Sequence, residues 1–148
     1  MYKKLTDEKI NIIINSGIEE FSKEGYVGAS LSRIAGDAGV SVGVIYKYYE
    51  DKEALFLACV RHGLNALADA LKEVAFKSDD LEESLRAVVK TLISHAREYV
   101  NINRMYNEIT SGGAKQFAAT LSEEIERISA LVYTDLIRKA RDEGRCRE

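Results

Sequence analysis

Between Ser30 and Lys52 the chain sets hydroxyl and ammonium groups at the intervals of short helices. They are Ser30, Ser32 and Arg33, then Ser41, Tyr46, Lys47 and Tyr48, then Lys52. Groups of these types bond phosphate oxygens. Ser41 precedes a helix whose first N–H groups have no intrahelical acceptor and can bond an anion. Val42 and Gly43 add little bulk there, so the backbone can approach a phosphate or a base edge. Lys47 can also reach a guanine edge. No Asn, Gln or Arg lies in Ser41–Tyr49, so bidentate base readout is sparse. Val42 and Val44 are placed to touch thymine methyls, and DNA shape supplies the rest of the selectivity.

Three helices must position these groups. The first is expected from Asp7 to Glu24, with Thr6 as N-cap and Asp7 and Glu8 at its positive end. Its stripe is Ile10, Ile13, Ile14, Gly17, Ile18 and Phe21, and Gly25 closes it. Ser30 is expected to cap a second helix through Ala38. Gly39 supplies the turn, because glycine adopts positive φ without steric cost. Ser41 caps a third helix through about Tyr49. Ile34, Ala35, Ala38, Val40 and Ile45 lock the second and third helices together, and Tyr49 joins the core. This is the build of a helix-turn-helix, whose second helix enters the DNA major groove while the helix opened by Ser30, Ser32 and Arg33 crosses the backbone.

The rest reads as an antiparallel helical body. Asp51 opens a long helix with Leu57, Val60, Leu64, Leu67, Leu71 and Val74 inward. Ser78-Asp79-Asp80 breaks it and starts another, with Leu81, Leu85, Val88, Leu92, Ala96 and Tyr99 on one side. An interruption is expected at Asn101–Asn103 and a clear break at Ser111-Gly112-Gly113; both are candidate hinges. A last helix runs from Ala114 to Glu143, its stripe Phe117, Leu121, Ile125, Ile128, Val132 and Leu136. The fold class is therefore all-α, with a head over residues 1–50 and a body over 51–148. The absence of proline suits long helices.

The segment from Ile14 to Leu55 resembles the TetR family of transcriptional regulators. The likeness rests on Phe21, Gly25-Tyr26, Ser30-Leu31, Ile34-Ala35, Ala38-Gly39-Val40-Ser41, Gly43, Ile45-Tyr46, Tyr48-Tyr49, Lys52-Glu53 and Leu55, in unbroken spacing. Gly17 stands where the family usually has alanine, and Tyr49 where it usually has phenylalanine. Lys52 resembles the family's phosphate-clamping lysine. The resemblance implies a repressor that binds a palindromic operator in double-stranded DNA as a homodimer. It also implies release by a small, largely apolar effector bound in the body. His62, His95, Tyr99, Met105, Tyr106 and Phe117 are the candidate lining. The family usually continues with two further helices that build most of the dimer interface, so the body of this chain is expected to be incomplete at its C-terminus.

Bulk properties bound these readings. Apolar content of 46% and charged content of 30% fit a globular protein, and the formal net charge is −3. The first 52 residues hold seven cations and eight anions, so affinity for DNA must come from placed contacts rather than a basic excess. The charged end (Arg138, Lys139, Arg141, Arg145 and Arg147) reads as a solvated helix terminus because Asp142, Glu143 and Glu148 interleave with it. Cys59 lies in an apolar run and Cys146 in a charged tail, neither in CxxC spacing, which suits a reducing compartment. No signal-peptide core and no apolar run of about 20 residues is seen, so the cytoplasm is expected, with no membrane partner. The two histidines are far apart, and neither an HExxH nor a Gly-rich phosphate loop is present, so neither an enzyme nor a cofactor or metal site is expected. The competing reading is a helical interaction protein with an inactive or non-dimerising head.

Overall fold

A computed structural model describes residues 6–145, apart from the Glu98 side chain. Cys146 and Arg147 therefore lie outside the described residues. Among the described residues seven helices follow one another: α1 (Asp7–Gly28), α2 (Leu31–Asp37), α3 (Val42–Tyr48), α4 (Lys52–Ala75), α5 (Leu81–Glu98), α6 (Val100–Thr110) and α7 (Ala118–Asp142). A single 3-10 turn, Lys115–Phe117, precedes α7. The described chain is all-α, as its periodicity predicts. It forms two compact units. One is the chain up to His62 together with Asn101–Ala118; the other is Gly63–Val100 together with the chain from Ala119.

In the first unit, α1 begins where Thr6 Oγ1 accepts from the Lys9 N–H, 3.3 Å. Its regular course ends at Gly25, whose φ of 70° no other residue adopts cheaply. One further turn follows, closed by the Ala29 N–H on the Gly25 carbonyl, 3.1 Å. Helices α2 and α3 meet at Gly39, φ 62°. Ile13, Phe21, Ile34, Ile45, Leu55, Phe56 and Cys59 are wholly buried between them and the start of α4. Phe21, Tyr26, Phe56 and Phe117 extend this core as an aromatic cluster with centroid spacings of 5.0 to 6.4 Å. Asp51 caps α4 through Oδ1, which accepts from the Ala54 N–H at 2.7 Å.

Helix α4 contains an 18-residue window of mean hydropathy 1.2, long and apolar enough by length and composition to cross a membrane. The fold uses that character internally: Leu55, Phe56, Cys59, Val60, Leu64, Ala68, Leu71 and Ala75 are all buried.

In the second unit the buried side of α5 differs from the expected stripe. Leu81, Ser84, Val88 and His95 face inward, while Leu85, Val89, Leu92 and Ile93 are exposed. The inward polar position has a physical cause. Ser84 Oγ donates to the Ser78 carbonyl at 3.2 Å and accepts from Lys139 Nζ at 3.0 Å. Lys139 is itself buried rather than solvated. Its ammonium donates to the Ala75 carbonyl, to the Ser78 carbonyl at 2.5 Å, and pairs with Asp135 at 3.3 Å. The last residues of α4 and the start of α5 are thus tied to α7 by one buried cation. On α7 itself Leu121, Ile128, Val132 and Leu136 are buried, but Ile125 is exposed. The break between α5 and α6 falls on Tyr99 alone, rather than on Asn101–Asn103.

Candidate nucleic-acid interface

Ile45 anchors α3 in the core, which turns the neighbouring positions outward. Ser41, Gly43, Tyr46 and Lys47 are exposed, and Val42, Val44 and Tyr48 are half-buried. Tyr46 keeps 55% of its free surface. A Cβ placed on Gly43 would meet only the Ser41 hydroxyl, at 3.8 Å, so the start of α3 lies open to an approaching backbone. Neither Ser41 nor Ser30 caps its helix through the side chain. The Ser41 hydroxyl is therefore not spent on its own helix. Lys47 Nζ sits 5.9 Å from the centroid of the Tyr48 ring. Tyr49 follows, half-buried, and burial pushes its hydroxyl pKa up.

The remaining cations near α3 hold the fold. Arg33 Nε donates to Glu20 Oε1 at 2.6 Å, and its Nη2 donates to the Gly28 carbonyl at 2.9 Å. Glu20 is buried and also accepts from the Ser30 N–H, 2.9 Å, so one carboxylate closes the start of α2 in place of the Ser30 side chain. Burial alone would raise the Glu20 carboxyl; the hydrogen bonds from Arg33 and Ser30 outweigh it, and the net shift is downward. Lys52 Nζ donates to the Val27 and Ala29 carbonyls at 3.1 and 3.2 Å and lies 5.0 Å from the Tyr26 ring centroid. Ser32 is exposed on α2.

One residue that sequence reading missed completes the frame. Lys9 Nζ on α1 donates to the Ala38 carbonyl at 2.8 Å, satisfying the end of α2 just before the Gly39 turn. A lysine opposite a helix terminus leaves no periodic mark in a sequence, so only the fold reveals it.

The candidate effector residues fall in two places. His95 and Tyr99 stack with ring centroids 4.1 Å apart and line a cavity of about 620 Å³ within the second unit. Met105, Tyr106 and Phe117 lie in the first unit, where Met105 is wholly buried and Phe117 belongs to the aromatic cluster. The Tyr106 hydroxyl is buried without a hydrogen-bond partner among the described residues, and burial pushes its pKa up. His62 is exposed on α4.

Known proteins give this geometry its context. The sequence pattern described as "Bacterial regulatory proteins, tetR family" matches residues 13–59, the stretch that contains α2 and α3. The transcriptional regulator BetI of Pseudomonas paraeruginosa is 39% identical over 80 residues, covering 53% of this chain and 41% of that protein. The transcriptional activator FasR of Mycolicibacterium smegmatis is 28% identical over 138 residues, covering 93% of this chain and 62% of that one. The chain thus spans about two fifths to three fifths of the curated relatives it matches. The crystal structure of FadR from Bacillus subtilis in complex with stearoyl-CoA superposes with a TM-score of 0.76 at 19% identity, over 94% of this chain and 74% of that one, and so shares its fold.

Proposed function

Because the chain belongs to the TetR family of bacterial regulatory proteins, we propose that it is a sequence-specific DNA-binding transcriptional regulator whose α3 enters the major groove. One observation carries this reading. With Ile45 wholly buried, α3 presents Ser41, Gly43, Tyr46 and Lys47 on its open side. Tyr46, Lys47 and Ser41 bond phosphates, Ser32 and the start of α2 meet the backbone, and Val42 and Val44 contact base methyls. Arg33 and Lys52 also hold the α1–α2 connection at the groove, since Arg33 Nε and Nη2 bond Glu20 and the Gly28 carbonyl and Lys52 Nζ bonds two backbone carbonyls. DNA-binding head and body divide near residue 50.

The regulator acts as a homodimer repressor on a palindromic operator, and a small molecule in the body releases it. The stearoyl-CoA in the FadR structure supports ligand control within this fold. Exposed Leu85, Val89, Leu92 and Ile93 on α5 and Leu131, Tyr133 and Ile137 on α7 support pairing of the second unit with another chain. The same exposed residues favour the second reading, an interaction protein with a silent head. Fluorescence anisotropy of the chain on the duplex upstream of its own coding region separates the two. Salt-dependent binding that is weakened by Tyr46→Ala and lost on a scrambled duplex is expected. Equal affinity for both duplexes, or binding untouched by Tyr46→Ala and Lys47→Ala, overturns the regulator reading.

A further inference from the structure

The cavity in the second unit carries more than its size. Ala66, Ala70 and Val74 succeed one another at four-residue steps on α4 and all line it. Their spacing makes the lining extend along about 12 Å of helix axis. Ala87 and Thr91 line it from α5, so small side chains on both helices leave an elongated, mostly apolar slot. The His95–Tyr99 stack lies at the end remote from the α4–α5 connection. The ionisable groups are placed differently. Lys77 and Lys90 both line the cavity and both are exposed. Among the described residues no carboxylate lies within ion-pair distance of either ammonium. Glu83, the one carboxylate on the described lining, accepts the Ser78 hydroxyl at 2.6 Å. A slot with an apolar floor and two cations against one carboxylate on its lining is complementary to a molecule with an apolar body and a negative end.

We propose that this cavity binds an elongated apolar molecule bearing one anionic group, its chain lying along Ala66, Ala70 and Val74 and its anion held by Lys77 and Lys90. The inference deepens the effector reading and rests on it for any consequence at the DNA, but the binding step itself involves only the second unit.

Titration calorimetry of the full chain with decanoate, decanol and acetate tests it. Decanoate should bind roughly tenfold tighter than decanol, the margin of one charge-assisted contact, and acetate should give no heat. Lys77→Gln with Lys90→Gln should bring decanoate down to decanol, with the helical circular dichroism unchanged. Ala70→Trp, which fills the slot, should weaken both ligands. Equal binding of decanoate and decanol, or a decanoate affinity indifferent to the lysine pair, overturns the proposal. So does acetate binding as well as decanoate. Anisotropy on DNA is measured separately. Decanoate binding without DNA binding overturns the regulator reading alone, and DNA binding without decanoate binding overturns this inference alone.

Discussion

Gly17 on α1 and Cys59 on α4 face each other so closely that a Cβ on residue 17 would stand 2.8 Å from the Cys59 sulfur. The thiol is wholly buried and donates to the Ile14 carbonyl at 3.5 Å, one turn before Gly17. Glycine in a helix costs about 1 kcal/mol against alanine. Here that cost admits the sulfur, which accounts for glycine where the family usually carries alanine.

Gly17→Ala should therefore destabilise the chain by about 1–3 kcal/mol through overpacking, despite the gain in helix propensity. In a Cys59→Ala background the same change should become neutral or stabilising. Urea unfolding of the four species gives the coupling. A stabilising Gly17→Ala in the presence of Cys59 would sink the account.

Lys47 and Lys52 differ by only five positions but should behave differently on DNA. Lys47 is exposed on α3, and its removal should weaken binding and lower the salt slope by about 1. Lys52 donates two hydrogen bonds to the Val27 and Ala29 carbonyls. Lys52→Met should also weaken binding, by loosening the α1–α2 connection, yet leave the salt slope as it was. Equal loss of slope in both variants would make Lys52 a phosphate contact instead.

The difference between these two lysines shows where sequence reading reaches its limit. Thr6, Gly25, Gly39 and Asp51 were readable because a cap or a positive φ depends on residues within one turn. Ile34 and Ile45 were readable because helical spacing alone sends them inward. The inward side of α5 was not readable. Ser84 is buried because a cation 55 positions away meets it, and no local preference would favour it over Leu85. The same holds for Lys9, whose carbonyl partner lies 29 positions along the chain. The candidate interface was thus legible as a set of residue types. Which cations a distant carbonyl or carboxylate holds in the fold was not, since long-range hydrogen bonds decide it.

The Glu20 carboxyl gives an acid limb to stability. Its folded pKa lies below the ordinary 4.5, so the native state binds this proton less readily than the unfolded chain. The stabilisation is complete above the unfolded value and fades as pH falls through the lower folded one. Glu20→Gln should destabilise the chain at neutral pH and flatten the decline in melting temperature below about pH 4.5. Arg33→Ala should raise the Glu20 carboxyl toward its unfolded value and so shrink that decline. A variant with an unchanged acid limb would remove Glu20 from this role.

The buried Lys139 network offers the sharpest test of the second unit. Lys139 is only 7% exposed and Asp135 only 3%, so water can replace neither partner. Lys139→Met would leave the Asp135 carboxylate buried with only Arg138 beside it and would strip the Ala75 and Ser78 carbonyls of their donor. Breaking such a pair costs about 3–5 kcal/mol. Replacing both charges, Lys139→Met with Asp135→Leu, should recover a large part of that loss, because no buried carboxylate is then left without its ammonium and only the carbonyl donors are missing. Salt should change the wild-type stability little, since the pair is shielded from bulk ions. Urea unfolding of both single variants and the double variant at low and high salt is the measurement. Additive losses in the double variant would mean that the ammonium acts only as a cap for the end of α4, with no energetic link to Asp135.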